Sequence, residues 1–215
     1  MRPILESAVE TADAAVAAEA AGSARLELCV DLAIGGTTPP MALVRDVVAR
    51  VSIPVFVMIR PRGGGFVYDA EERAMMRRDI ASAAAAGASG IVLGALSADR
   101  CVDAATTREM IAGAGGLPVT FHRAFDDTPD PFEALERVVE AGASRVLTAG
   151  GATTAREGAD VLAELVRRAA DRIVILAAGH VRAENVASLV ERTGVREVHA
   201  RFEDEARTRR LVDLL

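Results

Sequence analysis

Short apolar runs recur along this chain, each set behind an alanine-rich stretch that closes on glycine. AGSARLEL from Ala21, AGASGIVL from Ala86, AGASRVLT from Ala141 and TGVREVHA from Thr193 share the arrangement. Glycine after a helix supplies the left-handed position that ends it, and the β-branched run behind it favours a strand. Proline announces two more strands, IPVFVMIR and LPVTFHRAF, and RIVILAA with the N-terminal ILESA complete a set of eight. The pattern predicts strands near residues 4–8, 24–30, 54–60, 90–94, 118–123, 145–148, 173–177 and 196–200.

Helical runs separate these strands. Thr11, Thr38, Asp69, Asp130 and Thr154 each precede one, Pro39 and Pro131 stand at first-turn positions, and Glu133 and Glu157 fall three residues behind their caps. Strand and helix alternating eight times means parallel strands with right-handed crossovers, and eight such units close into an α/β (βα)8 TIM-type barrel. An open doubly wound sheet is the competing arrangement, but no GxGxxG follows the first strand. No linker or composition shift divides the chain, so residues 1–215 read as a single domain.

Side chains alternate along a strand, and the helix layer takes the apolar row. Leu26, Leu28 and Val30 therefore face outward and Glu27 and Cys29 inward; Val55, Val57 and Ile59 oppose Met58 and Arg60; Val119 and Phe121 oppose Thr120 and His122. Superposing the repeats puts Glu27 and His199 in one slot. Buried charges are costly unless paired or used. Either Glu6 and Glu27 pair with Arg60 to brace the core, or Glu27, Arg60, His122 and His199 form a catalytic group at the strand C-termini, where barrels carry their active sites.

The loops at that end carry matching chemistry. Arg60 and Arg62 precede Gly63, Gly64 and Gly65; Arg123 and Asp126 follow His122; Gly150 and Gly151 follow the sixth strand. Glycine admits backbone N–H groups close to an anion and arginine grips carboxylate or phosphate, so Arg62, Gly63, Gly64, Arg123, Asp126, Gly150 and Gly151 are expected to hold a small anionic ligand.

Composition removes several classes. All 25 basic residues are arginine, which excludes a Schiff-base lysine, a pyridoxal phosphate anchor and a Walker lysine. A net charge of −6 and 3% aromatic content argue against nucleic acid and anionic membrane as partners. Two cysteines, Cys29 and Cys101, give no disulfide framework, and with no signal segment or apolar span the expected place is the cytoplasm.

The strings ARLELC, GGTTPP, VMIRPRGG, LPVTFHRAFD, RVLTAGG and VRAENV make the chain resemble the CutC family from about Ile4 to His199. That resemblance implies a TIM-type barrel, a link to copper homeostasis and binding of Cu(I), but no settled reaction. It also implies a cysteine in each of the first two strands; only the second is present, as Cys29, and Ala8 stands in the place of the first. Gly65 replaces an aspartate, Ala178, Gly179 and His180 replace a glycine run, and the chain is short after His199.

Two functions follow as expectations. One is copper handling, with Cys29 as the metal ligand beside Met58 and with His122 or His199 as a further donor. The other is a barrel enzyme with lyase or isomerase chemistry, Glu27 or His122 moving the proton, Arg60 and Arg62 holding the anionic end and His199 assisting. A divalent metal on Glu6, Glu27 and His199 is a variant of the second. A catalytically silent, dimeric interaction protein is a third reading, and the apolar content leads to the expectation of a self-association surface, as in a homodimer.

Overall fold

Eight parallel strands pair in chain order and the last returns to the first, closing a barrel in the computed structural model, which describes residues 2–215. The strands are β1 (Ile4–Val9), β2 (Arg25–Leu28), β3 (Val55–Met58), β4 (Gly90–Leu93), β5 (Val119–Phe121), β6 (Arg145–Thr148), β7 (Val174–Ala177) and β8 (Glu197–Arg201). The helices are α1 (Ala12–Ala20), α2 (Met41–Arg50), α3 (Ala70–Ala85), α4 (Ala104–Gly113), α5 (Pro131–Ala141), α6 (Ala159–Ala169), α7 (Val186–Thr193) and α8 (Glu205–Asp213). The alternating (βα)8 TIM-type barrel is the expected fold. No helix among the described residues is long and apolar enough to cross a membrane.

Outward rows pack as alternation requires. Leu26, Leu28, Val55, Val57, Ile91 and Val119 join the inner faces of the first four helices, while Val146, Ile175 and Val198 join those of the later ones. Each fully buried aliphatic side chain contributes about 1.5–3 kcal/mol, so this layer carries most of the fold.

The caps hold in part. Thr11 accepts the Ala14 N–H, Asp69 and Glu72 form a reciprocal box, and Asp130 caps α5 with Pro131 in its first turn. Thr38 and Pro39 lie outside α2, which follows Pro40; the Thr38 hydroxyl instead accepts the Arg60 N–H at 2.9 Å and ties two mouth loops together. Thr154 and Glu157 do bond reciprocally, but α6 starts only at Ala159. Gly158 intervenes because a Cβ there would lie 1.8 Å from the Ala149 carbonyl oxygen.

The repeat also arranges the barrel interior. Three residues after the turn glycine come Arg25, Gly90, Arg145 and Glu197; five after come Glu27, Val92, Leu147 and His199. In the first slot, Arg25 and Arg145 both pair with Glu197, the latter at 3.1 Å, and Arg25 also bonds Glu6. Both guanidinium groups lie 5.1 Å from the centre of the Phe56 ring. Gly90 makes room for that ring, since a Cβ there would meet Phe56 at 2.5 Å. This network plugs the N-terminal half of the barrel. The expected brace of Glu6 and Glu27 with Arg60 is replaced by Glu6 with Arg25, which the register sets directly beside it.

Candidate functional site

Strand ladders stop two residues short of the expected ends on β2, β3 and β5, so Cys29, Arg60 and His122 stand just beyond them at the C-terminal mouth. Here the chain lines a cavity of about 610 Å³ with Glu27, Met58, Arg60, Phe66, His122 and His199. The four expected catalytic residues thus share one cavity, divided into two groups.

Glu6, His199 and Glu27 form the first. Glu6 sits beside His199 in the β1–β8 register, and its Oε1 lies 2.9 Å from Nδ1 of the imidazole. His199 Nε2 then faces Glu27 Oε1 at 3.9 Å. Burial opposes ionisation of Glu6, but the His199 hydrogen bond and the Arg25 charge prevail and hold it down at about 2. Burial pushes Glu27 up to about 7, and the Glu6 charge adds to the rise while His199 opposes it. Burial lowers the His199 affinity for protons, yet the Glu27 charge and the Glu6 hydrogen bond carry it above 6.5. With Glu6 ionised, Nδ1 is the nitrogen that donates, leaving Nε2 to face the Glu27 carboxyl without a hydrogen bond. Glu27 Oε2 is buried and has no hydrogen-bond partner.

Arg60, Phe66 and His122 form the second group. Arg60 donates to the carbonyls of Ile34 at 3.1 Å, Gly36 at 3.0 Å and Gly64 at 2.8 Å, and meets no carboxylate. Its guanidinium lies 4.8 Å from the Phe66 ring centre, and the His122 ring packs on the same phenyl at 5.0 Å. His122 is pushed down to about 3 by burial and then by the Arg60 charge, so the ring is neutral.

Other expected anion-binding residues are engaged elsewhere. Arg62, Gly63 and Gly64 do not line the cavity: Arg62 pairs with Glu72 at 2.5 Å and donates to the Gly65 and Val67 carbonyls, bracing its own loop. Gly63 packs so tightly on Ile34 that a Cβ would meet it at 2.8 Å. Arg123 and Asp126 line the mouth as an ion pair at 2.7 Å. Asp126 also accepts the N–H groups of Ala149 and Gly151, each at 3.0 Å, and the Thr148 hydroxyl at 2.5 Å, while Gly150 N–H turns to that hydroxyl at 2.9 Å. The turn of Gly150 and Gly151 is an anion nest, and its occupant is the chain's own carboxylate.

Cys29 is fully buried with Met58, Phe56 and Val92, and burial, then the Glu27 charge, pushes its thiol well above the usual range. Ala8 supplies no second sulfur in β1, and Cys101 is free. Among the described residues, the group that brings metal-type ligand atoms together is Glu6, Glu27 and His199, within 4.8 Å of one another. Both Glu6 oxygens are already committed there, one to Arg25 and one to His199. Sequence reasoning passed over Arg25, Arg145 and Glu197, although the slot three residues after each turn glycine marks them, and it passed over Phe66, which no local pattern marks.

Residues 3–204 match the pattern of the CutC family. A CutC family protein of Caulobacter vibrioides (strain NA1000 / CB15N) is 47% identical over 201 residues, covering 94% of this chain and 82% of the relative. One from Mesorhizobium japonicum is 44% identical over 197 residues, covering 92% and 76%. The solved CutC of Streptococcus agalactiae, a protein named for copper homeostasis, shares 33% identity with a TM-score of 0.87 over 92% of this chain and 97% of that one. A phosphoribosylanthranilate isomerase from Pyrococcus furiosus has a TM-score of 0.63 at 16% identity over 99% and 98% of the two chains, which is a likeness of fold alone.

Proposed function

The chain belongs to the CutC family, and from that premise we propose that its barrel mouth is the site of an enzyme that moves a proton on a small polar metabolite. Glu27 carries this reading. It is a buried carboxyl with one oxygen unbonded, raised to about 7 and set 3.9 Å from an imidazole that Glu6 holds in place. An isolated core carboxyl with no partner is a cost to the fold, and a pKa near neutrality is what a general acid or base needs. Glu27 would take a proton from a carbon next to a carbonyl, and His199 would give its own proton to the neighbouring atom in isomerisation, or to the leaving group that departs from the β-carbon in elimination. Isomerisation or β-elimination is the class of reaction that results.

Solvent exchange tests this without knowledge of the full reaction. Small hydroxy and keto acids are incubated with the protein in deuterated water and followed by proton NMR. Exchange at the carbon next to the carbonyl is expected with the native chain and not with Glu27→Gln. A panel without exchange, together with a Glu27 carboxyl titrating near 4.5, would overturn the reading.

Copper is the second reading, supported by the name of the Streptococcus agalactiae relative. Soft donors are present as Cys29 and Met58 in one buried cluster. The fit is poor: burial keeps the thiol protonated, and Ala8 leaves the chain without a cysteine pair. No step is derived through the metal.

A further inference from the structure

Two buried N–H groups at the mouth form no hydrogen bond among the described residues. His122 Nδ1 accepts the Ala124 N–H at 3.2 Å, so the neutral ring carries its proton on Nε2, which has no partner. Arg60 directs its terminal nitrogens to three carbonyls; its Nε–H forms no hydrogen bond, and the equally unbonded Tyr68 hydroxyl lies beside the guanidinium. Both residues are at most 5% exposed, and Phe66 packs on both. The corner therefore holds a guanidinium with no carboxylate partner and an unbonded His122 donor, with Phe66 packed on both. Buried donors left unmet cost stability, and a low-dielectric surrounding strengthens whatever anion meets them.

We infer that Arg60 and His122 form a subsite for a planar oxyanion, the carboxylate of the metabolite on which Glu27 and His199 act. The assignment rests on the proton-transfer reading for the identity of the reacting carbon, and on the idle donors for the anion. A neutral histidine with its proton fixed on Nε2 donates a hydrogen bond without giving up the proton, which suits an oxyanion that must stay bound through the reaction. Carboxylate is favoured over phosphate by two further observations. The glycine turn after β6, an anion nest at this mouth, is already filled by Asp126. Two unbonded N–H donors, on Arg60 and His122, leave a phosphate short of partners. Phe66, Arg60 and His122 all line the mouth cavity, and the Phe66 carbonyl is tied to the Leu96 N–H at 2.9 Å.

The test uses the whole chain with ¹⁵N-labelled histidine at pH 7, glycolate as probe and inorganic phosphate as comparison. Glycolate should shift the His122 Nε2 resonance in a saturable way, and phosphate should not. Arg60→Met should weaken glycolate at least about tenfold, the weight of one charge-assisted hydrogen bond, while Glu27→Gln should bind it still. Thermal melts check that the variants fold; if Arg60→Met does not, His122→Asn measured by calorimetry should show a loss of similar size. The assignment is overturned by glycolate that leaves His122 unshifted, by phosphate that binds as tightly, or by affinity unchanged in the folded variants. A shifted His122 with no solvent exchange on any substrate would defeat the proton-transfer reading and leave the anion subsite standing.

Discussion

The Asp126 carboxylate accepts the Gly151 N–H at 3.0 Å and so occupies the turn that the Gly150–Gly151 pair shapes. A nest of backbone N–H groups is satisfied there by a side chain five residues beyond β5, and the loops after β5 and β6 are joined through it. Asp126→Ala should therefore destabilise the chain by about 2–4 kcal/mol, since the Thr148 hydroxyl and the Ala149 N–H, both on buried residues, lose their acceptor together. Inorganic phosphate should raise the melting temperature of Asp126→Ala and leave that of the native chain unchanged. An equal response in both proteins would show that the nest is not the binding place.

Arg25 and Glu27 lie two residues apart on β2 with different roles. Arg25→Met should cost about 3–5 kcal/mol in denaturant melts, because Glu6 and Glu197 would be left as buried charges with one partner fewer. Glu27→Gln removes no hydrogen bond and should fold at least as stably as the native chain at pH 8. A loss equal to that of Arg25→Met would make Glu27 a member of the structural network.

The pH dependence of stability has a definite sign. Glu27 keeps its proton to about 7 in the folded chain against an ordinary 4.5, so the folded state binds more protons in that window and stability falls as pH rises through it. His199 adds to the fall: its contribution is complete below 6.5 and is lost as pH rises through its higher folded value. Glu6 acts oppositely, contributing stability above 4.5 that disappears as pH drops toward about 2. Urea melts across pH should show a decline toward the alkaline side, reduced in Glu27→Gln by up to about 3 kcal/mol. An identical slope in the variant would contradict the raised value.

Thiol chemistry separates the two cysteines. Cys101, part-exposed, should react with a thiol-specific disulfide reagent in the native protein, whereas Cys29 should react only after unfolding. A Cu(I) competition titration under reducing conditions should give the same affinity for Cys29→Ala as for the native chain. A marked loss in that variant would promote copper to the first reading.

Strand count and order were legible because apolar runs recur, four behind a turn glycine and two behind a proline, and the positions within each run alternate. Inward parity was legible for Glu27, Cys29, Met58 and His122 for the same reason. Partnerships were harder to read. Arg60 and Arg62 stand two residues apart in one string, yet Arg60 turns inward to three carbonyls while Arg62 folds back on Glu72. Which way a loop arginine turns depends on the neighbouring loop, here the one carrying Ile34 and Gly36, and no periodicity encodes it. Register makes the opposite case: once strands pair in order, Glu6 must stand between Arg25 and His199.

The plug of Arg25, Phe56, Arg145 and Glu197 makes the barrel a vessel with one opening. Whatever reaches Glu27 arrives from the C-terminal rim and must leave by it, as must the water it displaces. Under the proton-transfer reading, substrate and product would share a single passage, and accumulated product would slow the next arrival even where it bound Glu27 no better than the substrate.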